Sequence, residues 1–244
     1  EKIEMFLYRR ADLIVAVTHS FKEELISRGI EAEKIQVVLN GVDLSKYTKA
    51  KNKDPDLSGM YNLKGKFVAA YIGTHGLAHK LDCVIEAAKL LKEEKDIQFM
   101  FAGGGADRKR IEKLVEQSQL HNITMIPRQP KEKMPSLWSL CDVSLVTLKN
   151  TPLFQTVIPS KIFESMGMGI PIVIAVPEGE ATDIVREDNS GIVVSPENPK
   201  ELANAILKVK NSYNTLSNNA FYSAKKYDRR KLALDMLDLI ESQK

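Results

Sequence analysis

The chain has 244 residues, of which 43% are hydrophobic and 27% charged, with a formal net charge of +3. That is enough apolar content for one domain, or one and a half, with a full core, and too little excess charge to favour a nucleic-acid partner. No apolar run approaches the roughly 20 residues of a membrane span and no leader-type segment is evident, so a cytoplasmic globular chain with no transmembrane segment is expected.

In chain order, "LIVAV" (13–17) predicts a strand, and "SFKEELISRG" (20–29) a helix with Ser20 as N-cap and Gly29 closing it. "IQVVL" (35–39) predicts a second strand. Residues 45–66 are polar, lysine-rich and aperiodic, and read as a linker or surface excursion. From 67 onward, short apolar runs alternate with amphipathic stretches. Strands are expected at 67–73, 97–105, 123–126, 143–148, 170–176 and 191–194. Helices are expected around 80–94, 106–119, 131–140, after Pro159, and near 180–187. Six strands joined by helices imply an α/β fold with a Rossmann-like, doubly wound parallel sheet, because parallel strands need crossover connections. "IPIVIAV" and "FVAAYI" lack alternation, as strands covered on both faces should. Beyond 199 the pattern is helical, and the last helix carries an apolar stripe at Leu232, Met236, Leu237 and Ile240 that needs a docking surface.

Ligands of such sheets bind beyond the carboxyl ends of the strands. Three loops there stand out. "GTHGLAHK" (73–80) has Gly73 and Gly76 to let backbone approach a ligand, with Thr74, His75, His79 and Lys80 beside them. "GGG" follows the next strand, with Gly103 and Gly104 leading, but lacks the full dinucleotide spacing. The third is "FQTVIPSKIFESMGMG" (154–169), where Ile162, Phe163 and Met166 give a short helix one apolar face. Lys161 falls in its first turn, where the helix dipole disfavours a cation unless an anion is shared there. The alternative is a surface ion pair between Lys161 and Glu164, worth a few tenths of a kcal/mol. Elsewhere the chemistry is thinner. "DPD" (54–56) has the Asp-x-Asp form that holds a metal in one class of sugar transferases, but it lies in the lysine-rich linker. His19, His75, His79 and His121 lack metal-ligand spacing, and Cys83 and Cys141 read as reduced core residues. No metal and no cofactor are expected.

Together "ADLIVAVTHSFKEEL", "KIQVVLNGVDLSKY", "FAGGGADRKRIEKL", "MPSLWSLCDVSLVTL", "PSKIFESMGMGIPIV" and "ENPKELANAI" resemble the donor half of a group 1 glycosyltransferase of the GT-B fold. The resemblance runs from Arg10 to Lys244, and "TVIPSKIFESMGMG" with "YIGTHGLAHKLD" resembles the branch that transfers N-acetylated amino or deoxyamino sugars such as N-acetylfucosamine. It implies a metal-independent, retaining transfer from a nucleotide-sugar donor, a UDP-sugar, to a saccharide or lipid-linked acceptor in polysaccharide synthesis. The second glutamate of the family's E-x7-E pair, which receives the ribose hydroxyls, falls on Glu164; the first, which contacts the donor sugar, falls on Thr156. Backbone amides from Ile158 through Pro159 and Ser160 to Lys161 would cradle the diphosphate. The family's G-R-x4-K cations align with Thr74 and His79, leaving Lys80 or Lys161 to compensate, and the base would lie near Arg128 and Gln129. The implied layout is a strand–helix–strand remnant of an acceptor domain at 1–44, a linker at 45–66, a donor domain at 67–228 and a crossover helix at 229–244. The chain then reads as a fragment whose acceptor site lies in a missing N-terminal domain, the full enzyme sitting peripherally at the inner membrane face. Two other readings are a catalytically silent nucleotide-sugar module and a GT-B sugar-nucleotide epimerase with His75 and His79 as acid and base. A dinucleotide-dependent oxidoreductase, which would bind NADH, is the remaining one.

Overall fold

The computed structural model describes residues 2–242. A small unit comes first. Helix α1 (Lys2–Arg10), which the sequence pattern did not predict, precedes strand β1 (Ile14–Ala16), helix α2 (His19–Ser27) and strand β2 (Ile35–Val37). The two strands pair in parallel, and Ile14, Leu25, Ile30 and Ile35 form their core with Met5 and Tyr8 of α1 packed against it. The N-cap of α2 is Thr18 rather than Ser20: its extended backbone lets Oγ1 accept from the Phe21 N–H at 3.0 Å. The Ser20 N–H and hydroxyl turn instead to the Glu180 carboxylate.

The stretch 45–66 is more than an excursion. It contains a short helix, α3 (Pro55–Met60), and carries Leu63 fully into the core. The Asp54 carboxylate accepts from the N–H groups of Asp56 and Leu57, so "DPD" is a helix cap. Lys53 pairs with Asp142, tying the segment to the sheet.

The main unit is a six-stranded parallel sheet of β3 (Phe67–Thr74), β4 (Ile97–Gly104), β5 (Ile123–Pro127), β6 (Val143–Thr147), β7 (Ile172–Ala175) and β8 (Gly191–Val193). Their spatial order is β5-β4-β3-β6-β7-β8, so the winding reverses between β3 and β6. Crossovers are made by α4 (Leu81–Leu90), α5 (Arg108–Ser118), α6 (Met134–Trp138), α7 (Lys161–Gly167) and α8 (Glu180–Glu187). Helices α9 (Pro199–Asn211), α10 (Tyr213–Ser223) and α11 (Arg229–Glu241) follow. Side chains alternate along β3 between two cores, as the pleat requires. Ala69 and Tyr71 pack with Phe99, Leu81 of α4 and Leu202 of α9, while Val68, Ala70 and Ile72 pack with Leu137, Trp138 and Leu63. With both faces covered, the non-alternating apolar runs are explained.

Helix α11 returns to the small unit. Leu232 packs on Gly41, and Arg229 donates to the Gly41 carbonyl at 2.7 Å. Its outer stripe stays open, with Met236, Leu237 and Ile240 between 40% and 48% exposed.

Candidate functional site

The winding reversal places the loops after β3 and β6 side by side at the carboxyl edge of the sheet. They are fastened together: the Thr147 hydroxyl donates to the His79 carbonyl at 2.6 Å and the Lys149 N–H to the Ala78 carbonyl at 2.7 Å. On the other side, β3 and β4 stay in register to their last residues, Gly73 opposite Gly103 and Thr74 opposite Gly104. A Cβ on Gly103, whose φ is +143°, would stand 1.9 Å from the Gly73 carbonyl oxygen. Glycine is required there by the approach of two backbones, which accounts for part of "GGG" without any dinucleotide. Arg108 closes this edge from below, donating to the carbonyls of Gly103 and Ile126.

These ends enclose a cavity of about 480 Å³ lined by Gly73, Thr74, Gly103, Gly104, Arg128 and Gln129. Lys131, Met134 and Leu137, from the segment leading into α6, complete it. None of those three stood out in the sequence; the only signal was that α6 begins directly after the Arg128 loop.

Lys161 adjoins this cavity from behind Gly73. The apolar face of α7 (Ile162, Phe163, Met166) is fully buried, and this fixes the helix's rotation. The Lys161 Nζ then lies 3.7 Å from the centroid of the Tyr71 ring and 3.0 Å from where a Gly73 Cβ would be. It is buried and has no hydrogen-bond partner. Burial pulls its pKa down to about 7, an effect Glu164 only partly offsets. The Tyr71 ring face returns about 0.5–2 kcal/mol to a cation, against a cost of several kcal/mol for a desolvated ion. The lysine is therefore poised between its charged and neutral forms near pH 7. Glu164, three residues on, does not close an ion pair with it. Burial raises the Glu164 carboxyl, while Lys161 and Arg229 draw it back. The surface-pair alternative does not describe this geometry.

Tyr71 sits beneath the first loop, its hydroxyl donating to the Thr74 carbonyl at 2.8 Å. His75 and His79 pack on its ring with centroids 5.9 and 5.7 Å away. His75 is fully buried with neither ring nitrogen paired, and burial, helped by Arg108 and Lys161, takes its pKa down to about 4. His79 is lowered in the same direction, mainly by burial and then by Lys161. Gly76 opens the short turn that carries His79. Lys80, a left-handed residue heading α4, is engaged elsewhere: its Nζ is 3.1 Å from Glu197, which also accepts from the Asn150 N–H. Of the two lysines expected to compensate for missing cations, only Lys161 lacks a partner among the described residues.

Thr156 ends a 3₁₀ turn (Pro152–Thr156), with its hydroxyl donating to the Leu153 carbonyl at 3.3 Å. Ile158 and Pro159 lead into Ser160, the N-cap of α7, and among the described residues the N–H groups of Ile158, Ser160 and Lys161 have no acceptor. Thr156, Ile158, Ser160 and Glu164 do not line the cavity with the glycines. Among the described residues no group of three His, Cys, Asp or Glu side chains is placed to hold a metal, and no helix is long and apolar enough to cross a membrane.

The profile of the group 1 glycosyl transferases matches residues 58–227, and that of glycosyltransferase family 4 matches residues 1–46. A Salmonella typhimurium protein named for colanic acid biosynthesis, the glycosyltransferase WcaL, is 30% identical over 195 residues, covering 79% of this chain and 46% of that one. A Bacillus subtilis protein named for teichuronic acid biosynthesis, TuaH, is 31% identical over 174 residues, or 70% of this chain and 42% of its own. The chain thus spans less than half the length of either relative. Among solved structures, Anabaena Alr3699/HepE in complex with UDP and glucose superposes with a TM-score of 0.84 at 21% identity, over 99% of this chain and 66% of that one.

Proposed function

Because the chain belongs to the group 1 glycosyltransferases, we propose that it forms the donor-binding part of an enzyme that moves a sugar from a nucleoside diphosphate to a growing polysaccharide. The observation that carries this reading is Lys161: a buried, unpaired amine behind Gly73, beside a cavity of about 480 Å³ at the switch point of the sheet. In such a site the base lies against Arg128 and Gln129, and the ribose hydroxyls reach Glu164. The diphosphate meets the free N–H groups of Ile158, Ser160 and Lys161, joined by the lysine. Preorganised dipoles of this kind stabilise negative charge growing on the departing nucleoside diphosphate, without requiring a metal. The finer assignments, a UDP-N-acetyl amino sugar as donor, retention of configuration, and a saccharide or lipid-linked acceptor bound by another part of the protein at the inner membrane face, belong to the same proposal. The named functions of WcaL and TuaH support the polysaccharide setting, and the UDP held by Alr3699/HepE supports the base.

Thermal denaturation tests the reading. UDP is expected to raise the melting temperature more than ATP or NADH does, with or without EDTA, since a ligand of the native state stabilises it by mass action. A UDP effect that disappears on chelation would remove the metal-free site, and an NADH effect exceeding that of UDP would favour an oxidoreductase. The family resemblance leaves room for a silent binding module instead, because it sets Thr156, Thr74 and His79 where the family has a carboxylate and two cations. Sugar transfer from UDP-N-acetyl sugars by the whole protein separates the two. The epimerase reading is weakened by His75, a fully buried ring that a sugar does not reach.

A further inference from the structure

Lys161 differs from the other lysines of the site in what surrounds it. Tyr71 of β3 presents its ring face to the amine at 3.7 Å, and His75 and His79, from the loop after β3, flank that ring. Glu164, one turn along α7, is the nearest acid and makes no hydrogen bond to it. Further out, Arg108 of α5 acts on His75 and Arg229 acts on Glu164, both adding positive charge. An ammonium among a phenol and two imidazoles, out of water and without a carboxylate in contact, is destabilised relative to one in water. An anion at the glycine edge offsets that destabilisation. The four-carbon stem gives Nζ the reach to leave the ring, and Gly73 has no side chain in its way.

Granted the nucleotide site proposed above, we propose that in mildly alkaline solution Lys161 rests uncharged on Tyr71 and takes up a proton as it turns past Gly73 to meet the ligand's phosphate. Binding and protonation are then one event. No bond to carbon or phosphorus changes; solvent or buffer acid supplies one proton, and the amine's lone pair accepts it. The cation that the first loop lacks is created only when there is an anion to match it, which spares the empty site a buried charge. The pull of burial on Lys161, down to about 7, agrees with this resting state.

Titration calorimetry of UDP on this 244-residue chain, in two buffers of different ionisation enthalpy, reads the proton directly. At pH 8, where the terminal phosphate of free UDP is already ionised, about one proton is expected to be taken up per UDP bound. One linked proton also means that UDP affinity falls about tenfold from pH 8 to pH 9. At pH 6 the amine is already charged and its uptake disappears. Lys161→Arg, whose guanidinium stays charged throughout, is expected to bind UDP with neither proton uptake nor this pH slope. Equal heats in the two buffers at pH 8 would overturn the proton switch and leave the nucleotide site standing. Undiminished uptake in Lys161→Arg would also overturn it, by placing the proton on another group. No UDP heat between pH 6 and 9 would remove the site and the switch together. The wild-type comparison decides without any variant.

Discussion

Glu164 and Lys161 are neighbours on one helix, yet each is desolvated on its own account, so their substitutions should separate cleanly. On the proposed donor site, Glu164→Gln would remove charge-assisted hydrogen bonds to ribose and is expected to weaken UDP and UMP alike, by roughly 1.5–3 kcal/mol. Lys161→Met should penalise UDP more than UMP, with added salt masking part of the loss. Calorimetry with both nucleotides on both variants checks this, and four unchanged affinities would remove the site. His75 leads to a prediction about acid. Its folded pKa of about 4 lies below the model-peptide value of 6.5, so between those values the unfolded chain binds more protons than the folded one. Its contribution is fully present above pH 6.5 and is lost as pH falls toward 4. The melting temperature should drop across that window, and His75→Leu should flatten the drop; an unchanged acid limb in the variant would assign it elsewhere. Lys161 could be picked out in the sequence because a cation in a first turn contradicts the helix dipole. Tyr71 could not: inside "FVAAYIG" an aromatic reads as core, and only the folded register shows that its ring supports the lysine.

Among the elements, the paired ends of β3 and β4 make the sharpest distinction. Gly103→Ala drives a Cβ into the Gly73 carbonyl at a left-handed φ. It is expected to cost about 1–3 kcal/mol or more in stability. At Gly104 the nearest atom to a new Cβ is in the Arg128 side chain, 3.7 Å away. Gly104→Ala should therefore leave the melting temperature nearly unchanged while weakening UDP by narrowing the cavity. Chemical denaturation and UDP titration of the pair check it, and equal destabilisation of both would refute the backbone-contact account. Strands β3, β4, β6 and β7 were legible because two-sided burial writes continuous apolar runs into the sequence, while the partly buried edge strands β5 and β8 showed only as short apolar runs between turn residues. Helix α3 was not legible, since six residues (Pro55–Met60) span fewer than two turns and show no periodicity. Its one sign was "DPD", whose first aspartate caps rather than ligates. Helix α1 was missed for another reason: none of its residues is buried, so there was little core pattern to read.

For the molecule as a whole, α11 is, with α1, one of the weakly secured helices of the described residues. No residue of it is buried, and its outer stripe is open. Its amide protons are expected to exchange far faster than those of β3 or β4, approaching local unfolding free energies near zero at its end. Protection equal to that of the sheet would mean that a further surface covers it. The apolar stripe was legible in the sequence, but what it meets was not, because a stripe shows that burial is needed without naming the partner.

Where α11 begins, Val42 and Asp228 form a parallel bridge, with the Val42 N–H donating to the Tyr227 carbonyl and the Arg229 N–H to the Val42 carbonyl, both at 2.9 Å. The segment that leaves the small unit and the one that returns to it therefore pair with each other. Mechanically this is a single strap of two strands rather than two separate anchors. Such a strap bends readily about one axis and resists twisting about its length. The Glu180 carboxylate, held by His19 and Ser20, is a second attachment between the two units. Loss of that contact, as in Glu180→Gln, is expected to leave the paired segments as the main hinge between the two units.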